Sequence, residues 1–410
     1  MGIGARPLAE RTTIRTGFQA GASRLCLLFC PHAASRSVTD RAACGKKRET
    51  VAPIDPIHNR RINGIRPLVS PRELNDALPL TDAHLDTVAR GRDAVAAILD
   101  GRDDRLLVVV GPCSIHDPAA ALDYARRLAS VATRHVDELE VVMRVYFEKP
   151  RTTVGWKGLI NDPGLDASFR VNDGLFAARA FLREVLALGL PVGCEFLDPI
   201  TPQYLADAVS WGAIGARTSQ SQIHRQLASG LSMPIGFKNS TEGDVQGAVD
   251  AVAAAACAQV FPGITDDGRA AIFETSGNPD CHVVLRGGSA GPNYDTLSVA
   301  GTLDRLERSG LARRVVIDAS HGNSGKDHRV QSLVADDIAT RLAAGERGIV
   351  GVMLESFLVS DRQELAVGRG AQQLVYGQSV TDACIDWDTT ATVLDQLADG
   401  IIRGRALAAA

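Results

Sequence analysis

Four side chains in the sequence form a set that could bind a metal ion. Cys113, His321, Glu355 and Asp382 supply a thiolate, an imidazole and two carboxylates. Such a mixed set suits Mn, Fe, Co or Zn, whereas Ca and Mg prefer shells of oxygen atoms. The sequence therefore predicts one divalent transition metal as cofactor. Two alternatives stay open: Cys113 and Cys384 could form a redox pair, and Asp382 could be a helix N-cap.

A second set of side chains is cationic, and each member stands at or beyond the end of a segment with strand character. Its members are Arg144, Lys149, Arg151, Arg217, Lys238 and Arg286, with the polar Glu195 in an equivalent position. Converging cations repel one another unless anionic ligands neutralise them. Arginine offers a fork that matches phosphate and carboxylate oxygens, and lysine offers a point charge or a transferable proton. We therefore expect anionic substrates, although Lys238 or Lys149 could instead be a Schiff-base nucleophile.

These side chains must be positioned by the elements that precede them. After Arg105, short β-branched runs alternate with helical stretches such as Gly174–Leu188, Pro202–Ser210 (with Thr201 as N-cap) and Gly243–Ala256. We interpret eight runs as strands: Leu106–Gly111, Glu140–Tyr146, Pro191–Phe196, Ala213–Arg217, Pro234–Lys238, His282–Arg286, Val315–Asp318 and Ile349–Glu355. Repeated βα units of this number favour a closed (β/α)8 TIM barrel, an α/β fold, over an open doubly wound sheet. Active sites of such barrels lie where the strands end, as both sets of side chains do.

The segments outside the βα units predict two additions to the barrel. Residues 53–104 are interpreted as an N-terminal helical arm, because Ser70-Pro71-Arg72-Glu73 resembles a capping box and an apolar stripe runs from Leu85 to Leu99. Two apolar runs flank Asp267-Gly268, which is a strong turn signal, and they predict a β-hairpin inserted at about 258–276. The barrel domain itself is expected to span 105–405.

Composition limits the class of protein. The chain has 410 residues, of which 45% are apolar, and no apolar run approaches the ~20 residues that a membrane span needs. A net charge of −4 gives no case for a nucleic-acid partner. The eight cysteines are dispersed, unlike those of a disulfide-stapled secreted domain. We therefore expect a cytoplasmic protein with neither a membrane nor a nucleic-acid partner.

The first fifty residues differ from the rest in charge, with nine Lys or Arg against three Asp or Glu. Arginines alternate there with small and hydroxyl residues, as in a targeting peptide, but the apolar core Leu25–Phe29 is too short for secretion. We expect residues 1–52 to be a disordered extension, which is either a targeting segment or the product of a misassigned start, with Val51 as a non-standard initiator.

Longer motifs surround the candidate residues. They are Gly-Pro-Cys-Ser-Ile-His-Asp-Pro at 111–118, Met-Arg-Val-Tyr-Phe-Glu-Lys-Pro-Arg-Thr at 143–152, Gly-Ala-Ile-Gly-Ala-Arg-Thr at 212–218, Gly-Phe-Lys-Asn at 236–239, Leu-Arg-Gly-Gly at 285–288, Asp-Ala-Ser-His-Gly-Asn-Ser at 318–324 and Val-Met-Leu-Glu-Ser at 352–356. Together they resemble the microbial type I, aromatic-amino-acid-regulated synthases of 3-deoxy-D-arabino-heptulosonate 7-phosphate (DAHP). The resemblance covers roughly Asp55 to Arg403. It implies condensation of phosphoenolpyruvate with erythrose 4-phosphate and water, the first step of the shikimate pathway to aromatic amino acids.

The resemblance also implies roles for individual residues. The metal ligands of the family fall on Cys113, His321, Glu355 and Asp382, the last of which also borders the substrates. The positions that hold phosphoenolpyruvate fall on Arg144, Lys149, Arg217, Lys238 and Arg286, with Glu195 nearby, and those that hold the phosphate of erythrose 4-phosphate fall on Arg151 and Thr152. Lys149 is the candidate proton donor, because an amine between phosphates can protonate a developing alkoxide, and it joins Cys113 and His321 as a predicted catalytic group.

Departures from the family pattern lie outside these motifs. They are the N-terminal extension, one extra residue around Ser289–Pro292, and about three extra residues between Glu355 and Tyr376, which lengthen the loop that leads to Asp382. Family members are commonly inhibited by Phe, Tyr or Trp through a site built from the N-terminal arm and the hairpin. We therefore expect an aromatic amino-acid effector, and a homodimer or homotetramer. The alternatives are an octulosonate phosphate synthase, which uses arabinose 5-phosphate, and a non-catalytic phosphate-sensing barrel.

Overall fold

The computed structural model describes residues 57–151, 155–366, 370 and 374–410. The chain divides into two units, Met1–Ile65 and Arg66–Ala410. The described part of the first unit, residues 57–65, is an exposed segment with a turn in which the Ile62 amide donates to the Asn59 carbonyl at 2.9 Å. The predicted extension at 1–52 and the beginning of the predicted arm at 53–56 lie outside the described residues.

Eight parallel strands close into a barrel in the second unit. The strands of the described residues are β1 Leu106–Gly111, β2 Leu139–Arg144, β3 Val192–Glu195, β4 Trp211–Ile214, β5 Ile235–Lys238, β6 Val260–Ile264, β7 Ala270–Glu274, β8 His282–Leu285, β9 Val315–Asp318, β10 Ile349–Glu355, β11 Val359–Arg362 and β12 Gln378–Ser379. The order around the barrel is β1, β10, β9, β8, β5, β4, β3 and β2. The predicted (β/α)8 architecture is confirmed.

Helices form the outer layer, because a connection between parallel strands must cross back over the sheet. The helices of the described residues are α1 Pro71–Ala77, α2 Asp82–Leu99, α3 Pro118–Arg134, α4 Val171–Ala187, α5 Pro202–Leu205, α6 Gln222–Gly230, α7 Gln246–Ala255, α8 Thr296–Arg308, α9 Val330–Ala343 and α10 Trp387–Ala409. None of these helices is both long enough and apolar enough to cross a membrane.

The helical arm closes the bottom of the barrel. Val95, Ile98 and Leu99 at the end of α2 pack into the barrel interior against Leu107 and Val109 of β1. All five side chains are buried, and burial of each contributes about 1.5–3 kcal/mol to stability. Because α2 leads into the start of β1, this plug lies at the end of the barrel opposite to the strand C-termini. The mouth at those C-termini remains available for the site.

The arm also contacts the inserted hairpin, which β6 and β7 form as predicted. The predicted capping box is present, since the Ser70 amide donates to Glu73 Oε2 at 2.8 Å and the Glu73 amide donates to Ser70 Oγ at 3.2 Å. The same turn binds the hairpin tip: the Arg72 amide donates to the Asp266 carbonyl at 2.8 Å, and Arg72 Nε lies 2.6 Å from Asp267 Oδ1. The arm and the hairpin therefore form one continuous structure.

The predicted limits of the fourth strand were wrong. The sequence placed it at Ala213–Arg217, but the strand begins at Trp211, which pairs with Gly193 of β3, and it ends at Ile214. The large indole is fully buried inside the barrel, so its burial sets the register of the strand. Arg217 consequently stands in a turn beyond the strand.

The predicted helix Pro202–Ser210 was also wrong beyond its first turn. Its α-helical part ends at Leu205 and a short 3-10 segment follows. Arg92 of α2 binds two backbone carbonyls after Leu205: its Nη2 donates to the Ala206 carbonyl at 2.7 Å, and its Nε donates to the Val209 carbonyl at 2.9 Å. Thr201 stands at the N-cap position as predicted, but its side chain makes no cap hydrogen bond, and its hydroxyl donates to Glu148 Oε2 at 3.2 Å. The small sheet of β11 and β12 was not predicted.

Candidate active site at the barrel mouth

Closure of the barrel brings three of the four predicted metal ligands into one group, while His321 stands at its edge. Gly111 of β1 pairs with Glu355, the last residue of β10, so Cys113 lies beside that carboxylate. Ligand atoms of Cys113, Glu355 and Asp382 lie within 4.8 Å of one another, and Cys113 Sγ is 3.5 Å from Asp382 Oδ2. Nε2 of His321 lies 3.9 Å from Glu355 Oε1. We call these four residues the metal corner.

The imidazole of His321 is oriented by a buried carboxylate. Its Nδ1 lies 2.9 Å from Asp318 Oδ2 and 2.7 Å from Ser320 Oγ, which leaves Nε2 directed toward the metal corner. Burial alone would raise the pKa of Asp318, but His321 and Lys238 hold that pKa well below its ordinary value. A carboxylate behind a ligating histidine is a common arrangement in metal sites. Sequence reasoning gave Asp318 no role, although its position three residues before His321 was a usable signal.

The protonation chemistry of the metal corner fits a cation. Burial raises the pKa of the Cys113 thiol to about 12, and Glu355 adds to that effect. Asp382, in contrast, is held ionised, because Lys149 and His321 lower its pKa more than burial raises it. Two carboxylates beside a buried sulfur are stabilised by a positive ion between them. A thiolate, an imidazole and two carboxylates are the donor set of a divalent transition metal.

The structure bears on the alternative interpretations of Asp382 and Cys113. The N-cap of α10 is Asp386, whose side chain accepts from the Thr389 amide, so the reading of Asp382 as a helix N-cap was wrong. Cys113 and Cys384 are both free thiols.

Arg144 is the most deeply placed member of the cationic set. It is fully buried at the end of β2, where Nη2 donates to Glu355 Oε1 at 2.9 Å and to the Cys113 carbonyl at 3.2 Å. Its guanidinium lies over the Tyr146 ring, 3.6 Å from the centroid. These contacts fix the orientation of the cation beneath the metal corner, and Arg144 is not part of the lining of the cavity at the barrel mouth.

The remaining cations line one large cavity of about 1040 Å³ at the barrel mouth. The predicted residues in its lining are Lys149, Arg151, Glu195, Arg217, Lys238, Arg286, His321 and Asp382. Thr152 lies outside the described residues. Arg286 is 7% exposed and burial lowers its pKa, so an anion beside it would stabilise its charge. The cavity therefore suits a small ligand with more than one anionic group.

One residue that holds the metal corner had no sequence signal. Gln331 of α9 is buried, and its amide binds the backbone of Glu355 twice: Oε1 accepts from the amide at 2.8 Å, and Nε2 donates to the carbonyl at 3.1 Å. The pair of hydrogen bonds fixes where β10 ends. A glutamine inside an amphipathic helix carries no motif, so its role emerges only from the packing of α9 on β10.

A family model and the sequences of known proteins both relate this chain to one family of enzymes. Residues 81–395 match the model of the DAHP synthetase I family. The phospho-2-dehydro-3-deoxyheptonate aldolase of Corynebacterium glutamicum is 53% identical over 354 residues, which are 85% of this chain and 96% of that protein. The Phe-sensitive enzyme of that name from Escherichia coli strain K12 is 54% identical over 83% of this chain and 96% of its own length.

A Tyr-sensitive enzyme of the same name from Salmonella typhimurium is 50% identical and covers 84% of this chain and 96% of its own length. Among solved structures, the phospho-2-dehydro-3-deoxyheptonate aldolase of Francisella tularensis SCHU S4 superposes with a TM-score of 0.82 at 48% identity, over 84% of this chain and 99% of that one. The residues matched by the family model include the eight barrel strands, α2 and the hairpin.

Proposed function

The chain belongs to the DAHP synthetase I family and is a DAHP synthase, and we propose that its mouth cavity is where phosphoenolpyruvate condenses with erythrose 4-phosphate. The observation that carries this assignment is the position of Lys149. Its Nζ lies 3.1 Å from Cys113 Sγ and 4.0 Å from Asp382 Oδ2, and the same side chain lines the mouth cavity. Lys149 therefore joins the metal corner to the anion-binding cavity.

The metal corner would hold one divalent ion, for which Mn, Fe, Co and Zn are the candidates. Bound there, the ion would supply Lewis acidity that makes the aldehyde of erythrose 4-phosphate more electrophilic. The protein prepares this place in two ways: Asp318 orients His321, and Gln331 fixes the backbone of Glu355. Cys113 is the ligand that must lose a proton for an ion to bind.

The cations of the mouth would hold the two substrates in a fixed relation. We assign phosphoenolpyruvate to Arg144, Lys149, Arg217, Lys238 and Arg286, with Glu195 beside it, and the phosphate of erythrose 4-phosphate to Arg151 and Thr152. Holding both reactants removes much of the entropic cost of their meeting, so that C3 of the enol phosphate can attack the aldehyde carbon. Water then adds at C2 and phosphate leaves with cleavage of the C–O bond.

Lys149 would protonate the alkoxide that develops from the aldehyde oxygen. Burial by itself would lower its pKa, but the neighbouring Cys113, Asp382 and Glu355 raise that pKa above its ordinary value. The side chain is therefore an ammonium ion at neutral pH. Its place between the metal corner and the mouth puts a proton next to the aldehyde position.

The direct test is release of inorganic phosphate from phosphoenolpyruvate plus erythrose 4-phosphate, before and after chelation, with Mn, Co, Zn or Mg restored one at a time. We expect activity to disappear on chelation and to return with a transition metal. A parallel reaction with arabinose 5-phosphate measures the octulosonate alternative, which the comparisons do not support, as they do not support a phosphate-sensing barrel. Absence of turnover with every metal would contradict the assignment.

We further propose that an aromatic amino acid binds beneath the hairpin. A cavity of about 660 Å³ lies there, between the inner face of the hairpin, which presents Phe261 and Phe273, and α6 with its C-terminal loop. A neighbouring cavity between the arm and the hairpin shares Ile200 and Ile264 with it. Related enzymes are Phe-sensitive or Tyr-sensitive, and two aromatic rings in an apolar cavity suit such a side chain.

The outer face of the hairpin favours a homodimer or homotetramer. Val260 and Ile272 on that face are 63% and 75% exposed, and a second copy of the chain would bury them. A cytoplasmic location belongs to the same proposal, and the five cysteines of the described residues, all unpaired, are consistent with a reducing compartment. Light scattering on the wild type and on Ile272→Asp would measure the assembly, which the substitution is expected to weaken.

A further inference from the structure

A second, smaller cavity lies beside the metal corner. It encloses about 310 Å³ between the loop that follows β9, the end of β10 and the last residue of β11. His321, Glu355 and Asp382 form its inner wall, while Lys326 and Arg362 stand farther out. We call it the side cavity, since none of the substrate-binding cations of the mouth lines it.

The side cavity adjoins both the mouth and the protein surface. Ser324 and Lys326 line the mouth cavity as well as the side cavity. On its other side, Lys326, His328 and Arg362 continue into an open surface groove. One lysine therefore borders all three spaces, and a small ligand could pass from the mouth through the side cavity to solvent.

The basic side chains of the side cavity and of its neighbouring loop differ in their ionic contacts. Within the part of the chain that the structure describes, no carboxylate forms an ion pair with Lys326 or Arg362. Arg329, on the same loop, behaves differently, because its Nη2 lies 2.7 Å from Asp327 Oδ2 and its Nε lies 3.0 Å from Asp327 Oδ1. His328 adds a further nitrogen to the lining.

The two acids of the inner wall already have cationic partners. Glu355 Oε1 accepts from Arg144 at 2.9 Å, and Asp382 Oδ2 lies 4.0 Å from Lys149 Nζ. Both carboxylates also belong to the metal corner, where an ion would take up their remaining charge. Among the described residues, Asp327 and Asp361 line only the open surface groove, and the side cavity itself has no acid beyond Glu355 and Asp382. Its outer cations therefore face the cavity without a carboxylate of their own, and such a concentration attracts an anion.

Backbone hydrogen bonds join the segments that carry these cations to segments of the metal corner. The Lys326 amide donates to the His321 carbonyl at 2.8 Å, and the Asp361 amide, next to Arg362, donates to the Cys384 carbonyl at 2.8 Å. Lys326 and Asp361 adopt φ angles of 65° and 72°, which residues other than glycine seldom adopt. Unusual backbone conformations that are maintained by the surrounding structure cluster at active sites and ligand-binding sites.

We propose that the side cavity is an oxyanion site for inorganic phosphate, separate from the positions that hold the phosphates of the two substrates. Arg362 supplies a fork that matches two phosphate oxygens, Lys326 supplies a mobile charge, and His328 supplies a further nitrogen. Because inorganic phosphate is a product of the proposed reaction, on which this inference rests, the site gives it a resting place between the mouth and solvent.

Calorimetric titration of metal-loaded Arg151→Gln protein, saturated with phosphoenolpyruvate, tests the proposal. Phosphoenolpyruvate occupies its own phosphate-binding position, and Arg151→Gln weakens the position for the phosphate of erythrose 4-phosphate. The side cavity is then the proposed site that is left for inorganic phosphate to bind. We expect one inorganic phosphate per chain. Adding Arg362→Gln or Lys326→Gln should weaken its binding at least tenfold, while Arg329→Gln, which removes a charge already paired with Asp327, should change it less than twofold.

Several results would overturn the oxyanion site: no phosphate bound to the saturated protein, unchanged binding in Arg362→Gln, or an equal loss in Arg329→Gln. Glycerol 3-phosphate distinguishes free phosphate from a phosphate ester, and tighter binding of the ester would also contradict the proposal. Failure of the proposed function would be seen in a separate titration with phosphoenolpyruvate, which would then release no heat of binding. The comparison of Arg362→Gln with Arg329→Gln remains decisive in that case, because neither residue lines the mouth cavity.

Discussion

Lys238 Nζ donates a hydrogen bond to Asp318 Oδ2 at 2.9 Å, and the same carboxylate oxygen lies 2.9 Å from Nδ1 of His321. One buried carboxylate thus contacts both a lysine of the substrate cavity and a histidine of the metal corner. Lys238 ends β5 and Asp318 ends β9, and these two strands flank β8 in the barrel. The anion site and the metal site are therefore built on a shared residue.

Replacing Asp318 by Asn should weaken both metal binding and folding. His321 loses the carboxylate that orients it, so we expect metal affinity to fall about 10–100-fold. Lys238 is left buried without its ionic partner, which should lower the free energy of unfolding by about 3–5 kcal/mol. Chelator competition measures the first effect and urea unfolding the second.

The matched control for this change is Asp327→Asn, on the loop that follows β9. Asp327 pairs with the exposed Arg329 and contacts none of the metal-corner residues. The Asp327→Asn substitution should leave metal affinity unchanged and alter stability little, because surface ion pairs contribute little to stability. Wild-type metal affinity in Asp318→Asn would show that the carboxylate does not position His321.

Metal binding should depend strongly on pH. Burial raises the pKa of Cys113 to about 12, so below that pH the metal-free protein keeps a proton on the sulfur. An ion must displace this proton, and each proton released makes affinity rise by about tenfold per pH unit. We expect at least this slope between about pH 6.5 and 8.5, measured by competition with a chelator whose own titration is known.

Cys113→Ser should lower the dependence of metal affinity on pH by one released proton, and it should also remove most of the metal affinity. Cys281→Ser is the matched control, because Cys281 is a buried free thiol outside the metal corner. Absorption of the cobalt-loaded protein gives an independent reading, since a thiolate ligand produces a charge-transfer band that the Cys113 variant should lack. A slope that stays the same in Cys113→Ser would exclude the thiol as the source of the released proton.

The sequence carried enough information to predict the barrel and most of its mouth, for a physical reason. Buried parallel strands are continuous apolar runs, and functional side chains follow their ends, so strand and site are read from the same segments. A run such as Leu106–Gly111 can be recognised without tertiary information, whereas the register of β4 depends on where the indole of Trp211 fits inside the barrel. That fit exists only once the other strands are in place.

Other features could not be predicted because they arise from contacts between distant segments. Arg92 donates to the carbonyls of Ala206 and Val209, where the helix has ended, from more than a hundred residues away. Gln331 holds Glu355 across the interface between α9 and β10. The side cavity likewise depends on Lys326, in the loop after β9, and on Arg362, at the end of β11, and neither belongs to the quoted motifs. Residue type and local spacing do not indicate such contacts between distant segments.

Lys149→Met should abolish turnover while leaving the fold and the metal content intact. If Lys149 protonates the developing alkoxide, kcat should fall about 10²–10⁴-fold, the usual contribution of a positioned proton donor. Lys157→Met is the control, because Lys157 is exposed and contacts Lys149 only through its backbone carbonyl. Phosphate release, circular dichroism and metal analysis give the three readings, and full turnover of Lys149→Met would remove the proton-donor role.

Phe273→Ala should release the enzyme from its aromatic effector. The ring lines the cavity beneath the hairpin, so its loss should raise the inhibitory concentration of the effective amino acid at least tenfold without changing uninhibited turnover. Ile272→Ala alters the opposite face of the same strand and should leave inhibition unchanged. The assay is phosphate release with Phe, Tyr or Trp added separately, and equal inhibition of both variants would place the effector elsewhere.

Glu148 should make the protein less stable as the pH rises. Burial, with the nearby charge of Asp198, raises the pKa of this carboxyl from 4.5 to about 8. The folded protein therefore keeps the proton up to about pH 8, while the unfolded chain releases it above about pH 4.5, so the free energy of unfolding falls by about 1.4 kcal/mol per pH unit across this window. Glu148→Gln cannot ionise, and it can still accept from the Thr201 hydroxyl, which lies 3.2 Å from Glu148 Oε2.

We accordingly expect Glu148→Gln to match the wild type near pH 5 and to exceed its unfolding free energy by about 3 kcal/mol or more near pH 9. Urea unfolding at pH 5, 7 and 9 measures the difference, with Glu184→Gln, an exposed glutamate on α4, as the control that should show no such trend. A variant that is less stable than the wild type at pH 9 would mean that the carboxylate is ionised and stabilised in the folded protein, through a partner that outweighs the cost of its burial.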